Sequence, residues 1–313
     1  AGGGTGRAFH AGVLAALQDT VGLDARNAEI IVGTSAGSID GSFLRAGVSP
    51  RDLWTRIAER PSSSASDALF QRLPVWRDPD EEGTTMRWRP ASSLRLRGAA
   101  RRPWRVQPRT MGTLVAAAMR QGRRPTRLIR ETIDALQLPA WPEALWVCTV
   151  RLDDGKRVVF GRDAGVEGTL GEAVAASCAI PGYFAPVTIN GVRYVDGGAH
   201  SPSNADLLAG LGLDLVVISS PMTATPRAFR FSGDAAFRAG CRILLRREAA
   251  ALRRRGAHTI IFEPSAEDLA VMGSLSDSMA AHHRAIVANH VYESVCRRLR
   301  QEPMARLLQS KLA

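Results

Sequence analysis

The sequence predicts an α/β protein, and three observations carry that prediction. Short β-branched runs at 29–32, 213–219 and 259–262 alternate with longer stretches of helical spacing, as strands do when helices cover their sheet. Asp153-Asp154-Gly155 and Asn190-Gly191 separate alternating runs and mark hairpins, so part of the sheet is expected to be antiparallel. The first β-branched run stops at Gly33-Thr34-Ser35-Ala36-Gly37, a Gly-x-Ser-x-Gly pattern that lifts a hydroxyl above a sheet at a strand-to-helix turn.

Taken in order, residues 1–6 read as a glycine loop and 8–18 as a helix with Phe9, Val13, Leu14 and Leu17 on its apolar face. Such a loop before a helix suits an anion, because free backbone N–H groups point out of the helix start. It is neither a phosphate-binding P-loop, since Gly-Lys-Ser/Thr is missing, nor a dinucleotide fingerprint, which needs glycine where Arg7 stands. After the strand at 29–32 come helices over 38–46 and 50–60, the second aligning Leu53, Trp54 and Ile57. Residues 61–80, rich in Ser, Pro and Asp, read as a surface excursion. Helices are expected over 111–120 and 125–136, the latter with a stripe of Leu128, Ile129, Ile133 and Leu136. Strands at 145–151 and 157–161 follow. A helix from 172 to 177 must end before Pro181. The hairpin of 187–189 and 193–195 delivers Asp196-Gly197-Gly198 at a strand end. The strand at 213–219, a long helix over 235–255, the strand at 259–262 and a helix over 277–300 complete the chain. In the last helix Ile286, Val287, Val291, Val295 and Leu299 recur at helical spacing. There is no internal repeat, and residues 1–313 read as one domain with an Arg/Trp-rich, lid-like insertion at about 61–125.

Composition narrows the function. Cys148, Cys178, Cys241 and Cys296 are scattered, with no C-x-x-C pair and no histidine at zinc-ligand spacing. They predict neither a metal site nor a disulfide framework, and they suit a reducing, cytoplasmic setting. The chain starts without methionine inside the glycine loop and reads as an excerpt, with room for an upstream segment. No apolar run is long enough to span a bilayer. The net charge of +11 is local: thirteen arginines and no acid lie between Arg87 and Arg130, leaving 28 basic against 30 acidic residues elsewhere. Codon bias explains arginine in place of lysine but not the missing acids. From Arg87 to Arg109 the arginines interleave with Trp88, Leu94, Leu96, Trp104 and Val106. That mixture suits a lid or a surface peripheral to an anionic membrane, and equally a solvated loop. Nucleic acid is not expected, because no motif for it accompanies the arginines.

Ser35 is the candidate nucleophile. Gly33 and Gly37 have a steric role in its turn. A serine hydroxyl needs a base beside it and donors for the charge that develops on the attacked carbonyl oxygen. The backbone N–H groups of Gly2, Gly3 and Gly4 are candidate donors. His200, His258, His282, His283 and His290 follow the elbow, but none sits in a loop that marks it as the base, and His10 reads as structural. Asp196 ends a strand, is followed by Gly197 and Gly198, and suits the role of base if it is partly desolvated. Taken alone, Asp-Gly-Gly is also an ordinary turn.

Together these residues resemble the patatin-like phospholipase family. The resemblance rests on four blocks in the family's order: Gly2-Gly3-Gly4 running into Gly12-Val13-Leu14; the Gly33-to-Gly37 elbow; Ala176-Ser177-Cys178-Ala179-Ile180-Pro181 with Phe184 and Pro186; and Asp196-Gly197-Gly198. It implies a three-layer α/β/α fold around a mostly parallel sheet, whose first strand would precede the glycine loop and be missing here. It also implies a lipid acyl hydrolase with a Ser35–Asp196 dyad, a glycine-loop oxyanion hole, a lipid or phospholipid substrate and no metal or cofactor. One departure concerns Gly6-Arg7, which stand in the reverse of the family's order. A Ser-His-Asp esterase and a catalytically silent lipid-binding protein are the alternatives.

Overall fold

The computed structural model describes residues 1–61, 66–74, 122–228, 234–279, 281–300 and 308. The stretch from Arg87 to Arg109, most of the 61–125 insertion and the helix expected over 111–120 lie outside the described residues. The architecture is mixed α/β. In chain order it runs α1 (Gly3–Val21), β1 (Ile31–Thr34), α2 (Ala36–Arg45), α3 (Pro50–Ile57), α4 (Asp67–Arg72) and α5 (Arg127–Asp134). There follow β2 (Leu145–Arg151), β3 (Arg157–Phe160), α6 (Leu170–Ser177), β4 (Val187–Ile189) and β5 (Val192–Asp196). The last elements are β6 (Leu215–Ser219), α7 (Ala235–Arg254), β7 (His258–Phe262), α8 (Ala266–Met272) and α9 (Arg284–Arg300). The chain divides into two compact units: Ala1–Glu29 with Phe43–Phe70 and Ala205–Ala313, and Ile30–Ser42 with Gln71–Asn204.

In the first unit α1 is the central element. Ala8, Phe9, Ala11, Val13, Ala15, Ala16 and Leu17 are all fully buried, as in a helix apolar on every side. Its core partners are Val287, Val291, Val295 and Leu299 of α9, with Ile260 and Phe262 from β7, which pairs in parallel with β6. Ser49 caps α3 by accepting the Asp52 N–H, with Pro50 at the first helical position. That fixes Trp54, 3% exposed, whose Nε1–H donates to Ala288 O at 3.0 Å and whose ring stacks on Tyr292 at 4.4 Å. Trp54→Ala is therefore expected to lower the unfolding free energy by about 3–5 kcal/mol, read as a shifted urea midpoint.

Three expectations are corrected in this unit. The glycine stretch is the first turn of α1 rather than a loop: Gly6 N–H already donates to Gly2 O at 2.9 Å. Burial of the whole helix overrides glycine's poor propensity. The stretch 61–80 contains α4, because Phe70 buries itself against Phe43 at 6.3 Å between ring centroids. The helix expected over 277–300 begins as an α-helix only at Arg284, after 3₁₀ turns at Leu275–Met279 and Ala281–His283. There Asp277 accepts from the Ser274 N–H at 3.0 Å and the Ser274 hydroxyl at 2.6 Å, a local bonding pattern that competes with helix. Ile286, placed on the buried stripe, is 62% exposed.

The second unit holds a five-stranded sheet in which β1 pairs in parallel with β2, while β2–β3, β2–β5 and β4–β5 are antiparallel. Asn190 and Gly191 both take positive φ, 48° and 76°, the mirror-image turn that matches the twist of the β4–β5 hairpin. The register positions the chain's chemistry. Thr34, the last residue of β1, lies opposite Cys148, and Asp196, the last of β5, lies opposite Thr149. Because β3 pairs with Val147 to Val150 on one edge of β2, β1 and β5 must share the other edge. One runs parallel to β2 and the other antiparallel, so their C-terminal ends meet. Helix α6 packs beside them, started by a reciprocal Thr169–Glu172 capping box.

Candidate active site

Ser35 sits between β1 and α2 with φ 53°, a left-handed conformation that a non-glycine residue adopts only under local constraint. Gly33 makes the turn possible: a Cβ there would come within 2.5 Å of Ser38 Cα and 2.9 Å of the Gly37 carbonyl oxygen. The backbone of Ser35 is held on both sides. Its carbonyl accepts from the Ser38 N–H at 2.8 Å and the Ser38 hydroxyl at 2.6 Å, which anchors the start of α2.

The N–H side is held by a residue the sequence did not single out. Ile31 N–H donates to Ala144 O at 2.9 Å, and the alternation of a parallel ladder puts the Ser35 N–H in phase with Cys148 O. Instead, the Ser177 hydroxyl is spliced between them, accepting from Ser35 N–H at 2.9 Å and donating to Cys148 O at 2.7 Å. Ser177 is fully buried at the last turn of α6. Asn204, also fully buried and at φ 50°, steadies the preceding residue: its Nδ2 donates to Thr34 Oγ1 at 3.0 Å and Ser201 O at 2.6 Å, while its Oδ1 accepts from Arg157 at 3.1 Å. A buried serine and a buried asparagine carry no periodic signal. The only sequence hint for Ser177 is its place in the block before Pro181.

Asp196 is 5% exposed, accepts a hydrogen bond from the Gly198 N–H at 2.7 Å and interacts with the Ser35 hydroxyl. Burial pushes its pKa up to about 6, against the lowering effect of the Gly198 N–H and the Ser35 hydroxyl. Gly197 lets the strand end lie against β2, since a Cβ would fall 2.3 Å from Cys148 O. The structure thus brings Ser35 and Asp196 together with Gly33, Gly37, Gly197 and Gly198 around them. The Cys178 thiol interacts with Ser35, Ser38 and Asp196, and burial raises its pKa, so it remains a neutral thiol beside the hydroxyl.

Gly2, Gly3 and Gly4 lie in the first unit, where helix geometry leaves the first-turn N–H groups of α1 without intrahelical acceptors. Arg7, on the same helix, lies over the Phe43 ring at 5.0 Å. Of the six histidines, only His200 belongs to the second unit. His10 is buried in α1 with Nδ1 2.7 Å from the Ser219 hydroxyl, and His290 lies 3.2 Å from the buried Asp268. Cys148, Cys178, Cys241 and Cys296 are buried, and none forms a disulfide among the described residues. Among the described residues no three His, Cys, Asp or Glu side chains are grouped as metal ligands, and no helix is long and apolar enough to cross a membrane.

A family model described as Patatin-like phospholipase matches residues 1–209, a span that takes in α1, the Ser35 elbow, Ser177 and the Asp196 strand.

Proposed function

The chain belongs to the patatin-like phospholipase family, a family of lipid acyl hydrolases, and from that premise we propose that it is a serine esterase working through a Ser35–Asp196 dyad on acyl esters of phospholipids or lysophospholipids. The observation that carries the reading is the Ser35 hydroxyl standing beside a desolvated carboxylate, presented at a backbone conformation that only a built turn sustains. Asp196 takes the hydroxyl proton as Ser35 Oγ bonds to the ester carbonyl carbon. The carbon–oxygen bond to the alcohol then breaks, and the proton leaves with that alcohol. A water deprotonated by the same carboxylate attacks the acyl-enzyme, releasing the fatty acid and restoring Ser35. We propose that the developing oxyanion is received by backbone N–H groups of Gly2, Gly3 and Gly4, at a helix start where the first-turn N–H groups lack intrahelical acceptors. A pKa near 6 keeps Asp196 mostly ionised at neutral pH while leaving it more basic than an exposed aspartate, which favours proton abstraction. The stretch from Arg87 to Arg109 retains its proposed role as a surface peripheral to anionic lipid.

The test is covalent labelling by a fluorophosphonate probe together with hydrolysis of a soluble p-nitrophenyl ester. The expected result is labelling and turnover in the wild type, neither in Ser35→Ala, and turnover surviving replacement of each histidine by alanine. Labelling that persists in Ser35→Ala, or turnover lost with one histidine while the fold survives, would overturn the dyad. An unlabelled, inactive but folded wild type would identify a silent binding protein.

A further inference from the structure

The outward face of α7 is used by neither the fold nor the catalytic proposal. Helix α7 turns Arg238, Cys241, Leu245, Glu248, Ala249 and Leu252 inward. Helical spacing then puts Gly240, Ile243, Arg247 and Arg254 on the opposite face, with Phe237 towards one flank. Phe237 is 53% and Ile243 55% exposed, two of the four exposed large apolar side chains among the described residues. Both lie on one helix, Ile243 on the outward face and Phe237 at its flank.

The charge on this face has one sign. Helix α7 contains six arginines and one acid. That acid, Glu248, faces inward and accepts the Ala205 N–H at 3.0 Å. Arg242 and Arg246 share one buried carboxylate, Glu263, at 3.2 and 3.1 Å, so the pair keeps a net positive charge. Arg247 and Arg254 form no ion pair among the described residues. Ala239, Arg242, Ile243, Arg246, Arg247 and Ala250 line an open hollow of about 440 Å³ along the helix. A helix face that is merely solvated mixes acids with bases and exposes few large apolar groups. This face does the reverse, pairing exposed apolar groups with unneutralised guanidinium groups.

We propose that α7 is an interfacial docking helix that seats Phe237 and Ile243 among the headgroups of an anionic lipid surface while Arg247 and Arg254 bind lipid phosphates. Twenty residues give a platform about 30 Å long, and guanidinium groups bind phosphate oxygens in pairs. Charge favours lipid over a second copy of the chain, because an isologous pairing would set the same arginines against one another. The inference draws on the proposed lipid substrate in choosing the surface, but its test does not depend on turnover.

The experiment is co-sedimentation of the full chain carrying Ser35→Ala with phosphatidylcholine vesicles, with and without phosphatidylglycerol. Two pairs of substitutions are compared, Arg247→Ala with Arg254→Ala and Phe237→Ser with Ile243→Ser. Circular dichroism and thermal midpoints confirm that each variant is folded. The expected result is that the arginine pair weakens partitioning onto anionic vesicles by about 25-fold, at roughly fivefold per arginine, and leaves the weak binding to neutral vesicles unchanged. The apolar pair is expected to weaken binding to both. With Ser35 intact, hydrolysis of a soluble ester should be unchanged in both variants.

Partitioning equal to wild type in both variants would overturn the proposal, even if turnover bears out the catalytic reading. A change in oligomeric mass without lipid, with vesicle binding intact, would assign the face to self-association instead. A wild type that sediments with anionic vesicles through these residues but hydrolyses no ester would sustain docking and overturn the catalytic reading.

Discussion

Asp196→Asn is expected to reduce ester turnover by about 10²–10⁴-fold and to make the protein more stable above pH 6. The two effects share one cause. Asp196 is held in a buried site where the ionised form is penalised, which is what raises its pKa to about 6. Asparagine keeps an oxygen for the Gly198 N–H but removes both the base and the buried charge. The sign follows from proton uptake. A carboxyl whose folded pKa lies above its unfolded value binds more protons in the folded state between the two. Its contribution to stability is therefore greatest below about pH 4 and is lost as pH rises through about 6. Above that range the ionised wild-type group costs up to about 3 kcal/mol that asparagine does not. Urea unfolding at pH 5 and pH 8 should show the advantage of Asp196→Asn growing with pH. In the wild type, kcat/KM should rise through a single ionisation near pH 6 and then level. A variant that keeps turnover, or a wild-type profile flat from pH 5 to 8, would remove Asp196 from the chemistry.

The parts of this site that could be read from the sequence are those whose constraint is local. Gly33 crowds residues four and five positions ahead of it, Asn190-Gly191 closes its own hairpin, and Asp196 ends the strand that this hairpin starts, so each leaves its mark within a few residues. The start of α1 was misread for the converse reason. Glycine's local preference argues against helix, and only the burial of the whole segment by α9 and β7 reverses it. Ser177 and Asn204 were invisible as parts of the elbow. Their partners lie 142 and 170 residues away, and only the pairing of β1 and β5 along one edge of β2 brings them into reach. Their identities are ordinary, and only their register is specific.

Ser177→Ala is expected to lower kcat by about 100-fold with KM little changed, because it displaces the nucleophile without touching the substrate. Removing the hydroxyl leaves the Ser35 N–H and the Cys148 carbonyl facing each other across the gap that Ser177 Oγ bridges at 2.9 and 2.7 Å. Two buried polar groups without partners are unstable, and the available remedy is direct closure into the ladder bond that the β1–β2 register already favours. Closure draws Ser35 toward β2 and its hydroxyl away from Asp196, and a misplacement of about 1 Å at a reacting atom costs on the order of 100-fold. Ser177→Thr keeps the hydroxyl in the spliced position and should recover most of the rate, whereas Ser177→Val, of the same shape as threonine, should not. That pairing separates positioning from packing: if Val and Thr behave alike, Ser177 matters only for the volume it fills. The pH profile gives a second readout, since moving the Ser35 hydroxyl away weakens one of the interactions that lower the Asp196 pKa. The acid limb of Ser177→Ala should therefore move to higher pH, a shift that a general loss of stability would not produce.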